Sequence, residues 1–147
     1  GTLRDQTHNL FDQTGELRQQ TEQTYTETGD LKRETETFYQ ETGELKQQTE
    51  SLYSDTGTLK EQTQSLYGET GELRQQTELT FNATGDLRDQ TQQVFTDTGQ
   101  LKEQTESVYT ETGGIKEQTQ QLYNETGDIK EQTRHVFDEA GNLRDQT

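Results

Sequence analysis

Residues 14–27 read TGELRQQTEQTYTE, and the register of this stretch returns along the whole chain. Aligned on glycine, the sequence has a period of 14 without an insertion, and the unit is G-x-[LI]-[KR]-x-[QE]-T-x-x-[LVTF]-[YF]-x-[EDQA]-T with one exception, Ala140, at the last position. Ten full copies from Gly1 and a half copy over 141–147 fill residues 1–147, which predicts a single repeat array without a second domain. Because no atypical capping unit is visible at either end, we expect the array to be a window of a longer one.

The composition argues against a monomeric globule. Leu, Ile, Val and Phe together make up 24 of 147 residues, and the formal net charge is −16. Such a chain cannot bury enough apolar surface to offset the entropy cost of ordering its backbone, about 1–2 kcal/mol per residue. We therefore expect it either to be disordered or to share its apolar positions with copies of itself.

A weaker period of seven lies inside the period of 14. Every seventh residue from Thr7 to Thr147 is Thr, except Ala140, and an aliphatic residue usually stands four positions earlier. Spacings of four and three are typical of a supercoiled helix with Thr at a and the aliphatic residue at d. The pattern predicts an all-α fibrous fold, a long parallel oligomeric coiled coil of two-heptad repeats. The predicted oligomer seam comprises Leu17, Thr21, Thr28, Leu31, Leu45, Leu52, Leu59, Leu66, Leu73, Leu101, Leu122, Val94, Val108, Val136, Ile115 and Ile129.

The flanking positions predict how the helices would pair. An acidic residue at g and a basic residue at e of the next heptad would form pairs between parallel chains, as in Glu27–Lys32 and Glu41–Lys46. Aromatic residues at the alternate e positions widen the apolar stripe, which favours a trimer or higher oligomer, or a laterally packed filament. The aromatic positions in question include Tyr25, Tyr39, Tyr53 and Tyr67.

A β-solenoid with 14-residue rungs is the alternative fold. Thr, Tyr, Phe and Val favour strands, and a glycine every 14 residues suits a turn, whereas on the outer face of a helix each glycine costs about 1 kcal/mol. Two observations oppose the solenoid: the residues after each Leu do not alternate between apolar and polar, and stacked rungs would place the basic residue of every unit in one column. The glycine remains unexplained by the helical interpretation.

Catalytic and metal-binding motifs are absent from the sequence. There is no Cys, and the two histidines, His8 and His135, occupy different positions of the unit, so we expect no enzyme, no cofactor and no metal site. The strongly acidic charge argues against nucleic-acid binding, and no apolar run is long enough for insertion into a membrane. Asn82 and Asn124 match the N-glycosylation sequon, which makes a surface glycan a candidate partner.

These patterns predict a structural protein that forms a rod, stalk or filament segment by self-association, in an extracellular or cell- or virion-surface appendage. The alternative function follows from the alternative fold. It is a repeat surface-binding module in which a β-solenoid presents Thr and Gln ladders to ice, glycan or another surface. A flexible spacer is the third hypothesis.

Overall fold

The computed structural model describes residues 4–147, in which there are eleven β-strands and no helix. Consecutive strands pair antiparallel, so the chain forms one open sheet whose strand order is the chain order, with β1 and β11 at its edges. The strands are β1 Asp5–Phe11, β2 Leu17–Tyr25, β3 Leu31–Tyr39, β4 Leu45–Tyr53, β5 Leu59–Tyr67, β6 Leu73–Phe81, β7 Leu87–Phe95, β8 Leu101–Tyr109, β9 Ile115–Tyr123, β10 Ile129–Phe137 and β11 Leu143–Gln146.

Each unit from β2 to β10 supplies a nine-residue strand, and a five-residue turn separates successive strands. After β4, the N–H of Gly57 donates to the Ser54 carbonyl at 2.9 Å, and the N–H of Ser54 donates to the Thr58 carbonyl at 2.8 Å. Gly57 has φ +79°, in the left-handed region that glycine enters without the steric cost of a Cβ. The glycine at this place in every described turn has a φ between +79° and +94°. The period of 14 is therefore the spacing of hairpin turns.

The prediction of an all-α coiled coil is wrong. Threonines seven residues apart occupy different structural environments, because Thr21 lies in the middle of β2 whereas Thr28 lies in the following turn. The predicted aliphatic seam is likewise divided between the first residue and the eighth residue of different strands. The first residues are Leu17, Leu31, Leu45, Leu59, Leu73, Leu101, Ile115 and Ile129, and the eighth are Leu52, Leu66, Val94, Val108, Leu122 and Val136.

The residues of each predicted interchain charge pair lie close together in the sequence of a single hairpin. Glu27 and Glu41 lie in turns, and Lys32 and Lys46 lie in the strands that follow those turns, so each predicted pair belongs to one hairpin and needs no second chain. Within residues 4–147, every ion pair within 4.0 Å involves an arginine. The heptad assignment therefore describes neither the aliphatic nor the charged residues.

The structure is compatible with the alternative of a repeated β-strand, although the strands form an antiparallel meander rather than coiled rungs. The two observations that opposed a β-solenoid were the missing alternation and the column of basic residues. They assumed a sheet with one buried face and rungs stacked in the same direction. Alternation is required only when one face of a sheet is buried. Because the chain reverses at each strand, basic residues of successive units lie at opposite ends, and those at the same end are about 9.6 Å apart. This distance is comparable to the Debye length of about 8 Å at physiological salt, which weakens their repulsion.

The two faces of the sheet have the same chemistry. Side chains alternate along a strand, and the reversal of the chain turns a given position of the unit to the opposite face in the next strand. Gln20, the fourth residue of β2, pairs with Thr37, the seventh residue of β3, and Thr37 pairs in turn with Gln48, the fourth residue of β4. Fourth and seventh positions of the strands therefore alternate across one face. We call the face with Gln20 face A and the opposite face, with Gln23, face B.

No hydrophobic side chain among the described residues is fully buried; the buried side chains are small and polar. Ser51 is 5% exposed because it lies between two longer residues, and the Gln62 amide donates to its hydroxyl at 3.2 Å. Gln118 covers Ser107 in the same way, at 3.2 Å. Long amides from neighbouring strands therefore cover these small buried residues.

The register slips once in every hairpin. Tyr53 pairs with Leu59 and Leu52 pairs with Glu61, so Lys60 is an extra residue that has no partner across the strand. Such a β-bulge bends the strand and increases its twist. The bulged residue is basic in all ten hairpins, namely at Arg18, Lys32, Lys46, Lys60, Arg74, Arg88, Lys102, Lys116, Lys130 and Arg144.

Candidate binding surface

Apolar residues gather at the ends of the strands, next to the turns. The aromatic residue that closes one strand pairs with the aliphatic residue that opens the next, as Tyr53 does with Leu59. These pairs line up across the sheet, because turns at the same end recur every second hairpin. Stripe A, on face A, contains Phe11, Leu17, Tyr39, Leu45, Tyr67, Leu73, Phe95, Leu101, Tyr123 and Ile129; stripe B, on face B at the other end, contains Tyr25, Leu31, Tyr53, Leu59, Phe81, Leu87, Tyr109, Ile115, Phe137 and Leu143.

The tyrosine rings extend from the stripes toward the strand centres. The Tyr25 hydroxyl donates to the Gln23 side chain at 2.8 Å, and the Tyr109 hydroxyl donates to the Gln90 side chain at 3.0 Å. Each of these hydrogen bonds holds a ring against its own face of the sheet. Because most rings are only partly exposed, they form a ridged surface rather than freely moving side chains.

Grooves open between neighbouring turns at the same end of the sheet. One groove of about 500 Å³ is lined by Tyr39 and Tyr67 of stripe A, with Lys46 and the turn residues Glu41 and Glu69. Comparable grooves at the other end have volumes of about 600 and 250 Å³ and include Phe137 with Lys116 and Phe81 with Lys60, respectively. Grooves that combine an aromatic residue, a bulge cation and turn residues are thus found at both margins.

The turns are fixed by side-chain hydrogen bonds as well as by glycine. In the turn at 124–128, the Asn124 Oδ1 accepts the N–H of Thr126 at 3.0 Å and the N–H of Asp128 at 2.9 Å, and the Thr126 hydroxyl joins Asn124 to Asp128. Eight of the ten described turns have a side-chain oxygen in the first position that accepts the N–H of the fifth residue. The acceptors are Asp12, Thr26, Ser54, Asn82, Thr96, Thr110, Asn124 and Asp138.

Polar contacts connect successive turns of one margin. The Gln40 amide donates to the Gly68 carbonyl at 2.6 Å, and the Gln100 amide donates to the Glu125 carbonyl at 3.3 Å. Arg18 donates to the Gln40 carbonyl at 2.5 Å, so a bulge cation contacts the turn that follows the neighbouring strand. These contacts join neighbouring turns at the margin of stripe A.

Hydrogen bonding in the turns stabilises the charged form of several carboxylates. The Thr14 hydroxyl and the Glu16 N–H hold the pKa of Asp12 well below its usual value, with a further contribution from Arg18. The pKa of Glu72 is lowered mainly by the Thr70 hydroxyl, and that of Asp138 mainly by the Asn142 N–H. The margins therefore remain negatively charged at neutral pH.

Other residues singled out in the sequence lie apart from one another. Asn82 and Asn124 both occupy the first position of a turn, where Oδ1 is used as an acceptor; glycosylation there stays a prediction. His8 lies in β1 and His135 in β10, and neither forms an ion pair. Residues 4–147 contain no cluster of side chains suited to a metal ion. No helix of the length and hydropathy needed to cross a membrane is found in this part of the chain.

The heptad pattern did not predict the two stripes. The sequence nevertheless contains a signal for them, because in each unit an aromatic residue stands six positions before an aliphatic one, with a turn glycine between them, as from Tyr25 to Leu31. Such symmetry about a turn is typical of a cross-strand pair in a hairpin.

No protein-family model matches this sequence, and no curated protein shows significant similarity to it. Among solved structures, a protein of unknown function from Bacteroides fragilis NCTC 9343 aligns over 98% of this chain and 91% of its own, with 10% sequence identity and a TM-score of 0.29. A TM-score this low does not establish a common fold.

Proposed function

We propose that this chain is a non-enzymatic repeat module that binds a polymeric partner of matching periodicity along the margins of its sheet. The recurrence of one groove type at both margins carries this proposal. A single groove offers a few apolar and polar contacts, whereas several similar grooves let a repetitive partner make similar contacts more than once.

The shape of the sheet supports binding rather than catalysis. The grooves are open, and each combines apolar side chains with a few polar groups, as binding sites commonly do. The turn hydrogen bonds keep the grooves in place before a partner arrives, which reduces the entropy lost on binding.

Ice is the least favoured of the surfaces that the sequence suggested. Thr at the strand centre faces acidic or amide side chains of the next strand, as Thr21 faces Glu36 and Thr49 faces Gln64. Charged, strongly hydrated groups within the rows oppose the ordered contact that an ice surface would need. A polar polymer can instead exchange hydrogen bonds with these groups.

The test measures retention of the intact chain on immobilised polysaccharides, polypeptides and mineral particles, with the matching free monomers as competitors. We expect retention on one polymer class, competition by its soluble polymer, and little competition by its monomer. Failure to retain the chain on any polymer, or equal competition by monomer and polymer, would refute the proposal.

A further inference from the structure

The geometry points to an uncharged, extended polysaccharide of β-linked pyranose units as the partner, with one disaccharide for each aromatic ring of a stripe. This inference rests on the proposed binding function and specifies its ligand. It depends on three features: the spacing of the rings, the charge of the margins, and the equivalence of the two faces.

The spacing of the rings matches an extended sugar chain. Rings in one stripe belong to every second strand, and the strands that carry neighbouring rings such as Tyr39 and Tyr67 lie about 9.6 Å apart. This is close to the length of two linked pyranose rings in an extended chain. In chains whose successive sugars alternate in orientation, every second sugar presents the same apolar C–H face, and such a face can stack on an aromatic ring.

The residues beside the rings suit sugar hydroxyls. In the groove between Tyr39 and Tyr67, Lys46 can donate hydrogen bonds, whereas Glu41 and Glu69 can accept them. The intervening aliphatic residue, Leu45, continues the apolar strip between the two rings. This groove thus offers an apolar platform with donors and acceptors at its rim.

The charge of the margins excludes anionic polymers. The turns and bulges along stripe A, residues 12–18, 40–46, 68–74, 96–102 and 124–130, contain nine carboxylates and five basic side chains. The whole chain has a formal charge of −16. A uronic-acid polymer or a nucleic acid would be repelled over the length of the stripe, whereas a neutral glycan would not.

The equivalence of the faces predicts two glycan chains for each protein chain, one on each stripe. Isothermal titration calorimetry with neutral β-linked oligosaccharides tests this prediction. Between a disaccharide and a decasaccharide we expect the affinity to rise by about two orders of magnitude, because linked contacts reinforce one another. Saturation-transfer NMR on the unmodified chain should show contact between tyrosine rings and sugar C–H groups.

Substitution of one stripe provides the decisive variant. Replacing Tyr39, Tyr67 and Tyr123 with Leu keeps stripe A apolar but removes three flat rings, and should lower the stoichiometry for the decasaccharide from two to one. The mirror variant, with Leu at Tyr25, Tyr53 and Tyr109, should do the same through stripe B. The control, Leu66→Ala with Val108→Ala, removes exposed apolar surface outside the stripes and should retain both sites. Far-UV circular dichroism checks that each variant keeps its strands.

Several results would overturn the inference. The first two are a binding stoichiometry that stays at two in both tyrosine variants and an affinity that does not depend on oligosaccharide length. The others are an NMR experiment without saturation transfer between tyrosine rings and sugar, and stronger retention on a charged polymer than on a neutral glycan. If the chain is retained on polypeptides or charged polymers but not on neutral glycans, the ligand is wrong and the binding function stands. If it is retained on no polymer, both proposals fail.

Discussion

In β4, Ser51, the seventh of nine residues, is buried beneath the amide of Gln62, whereas Tyr53 at the end of the same strand pairs with Leu59 beside a glycine-containing turn. A sheet in a globular domain usually has one apolar face packed against a core. Here the centre of each face is polar and the apolar residues lie at the margins. The difference shows that long amides cover small polar residues within the strands, whereas the apolar cross-strand pairs lie beside the turns.

The largest single-residue effect is expected at the margin, in the turn. Replacing Gly57 with Ala should lower the free energy of unfolding by about 1–2 kcal/mol, because a Cβ is strained at a left-handed backbone position. The φ of Gly57 is +79°, and a Cβ there would meet no atom within 4 Å, so the loss would be conformational rather than steric. Chemical denaturation measures it.

Gly114 provides the matched control. It lies one position after the turn glycine Gly113, its φ is not in the left-handed region, and a Cβ there would lie 3.4 Å from the Thr110 hydroxyl oxygen. Gly114→Ala should therefore change stability by no more than about 0.5 kcal/mol. Equal losses at Gly57 and Gly114 would show that the turn conformation does not limit stability.

The next effect tests the apolar stripes. Leu73 pairs with Tyr67 in stripe A, whereas Leu66 lies outside the stripes and is 41% exposed. Leu73→Ala should cost about 1 kcal/mol, because it removes partly buried methyl groups and a cross-strand pair, and Leu66→Ala should cost about half as much. Thermal and urea unfolding of the two variants compares them. A larger loss at Leu66 would place the stabilising apolar contacts outside the stripes instead.

A smaller effect is expected in the polar centre. Ser51→Ala and Gln62→Ala each remove one partner of a hydrogen bond across the sheet, and the pair should show a coupling energy of about 0.5 kcal/mol in a double-mutant cycle. The coupling is small because the Gln62 amide can turn to water when its partner is lost. Strict additivity of the two substitutions would mean that the amide shields Ser51 without a stabilising bond.

The smallest effect concerns pH. The Asn142 N–H lowers the pKa of Asp138, so the folded state binds a proton there less readily than the unfolded state. Its contribution to stability is present above the unfolded pKa, about 3.9, and is lost as the pH falls through the lower pKa of the folded state. Asp138→Asn should leave stability at pH 7 almost unchanged, since Asn occupies the equivalent place at Asn82 and Asn124, and should make stability less dependent on pH below about 4.

Denaturation curves collected between pH 3 and pH 7 measure this difference. The comparison variant, Asp55→Asn, changes a carboxylate at an exposed turn tip that accepts no hydrogen bond within its turn. Identical acid limbs for the two variants would contradict a stabilising role for the Asp138 hydrogen bonds.

The sequence by itself determined the period of 14, the continuity of the array, and the scarcity of apolar residues. It also placed a glycine where the chain needs a positive φ, although glycine alone does not distinguish a helix cap from a hairpin turn. The pairing of Tyr25 with Leu31 was readable from their symmetry about that glycine. The heptad pattern concealed it, because Thr21 and Thr28 are alike in type but differ in environment.

Only the tertiary structure decided that the unit is a strand exposed on both faces. Sequence patterns usually identify a strand because one of its faces is buried and apolar while the other is polar. Neither face of this sheet is a buried apolar face, so the usual alternation of apolar and polar residues is missing. The structure also decided that successive units reverse direction. This reversal separates the bulge cations, makes the two faces equivalent, and lines up aromatic rings from every second strand, because only antiparallel strands can be joined by such short turns.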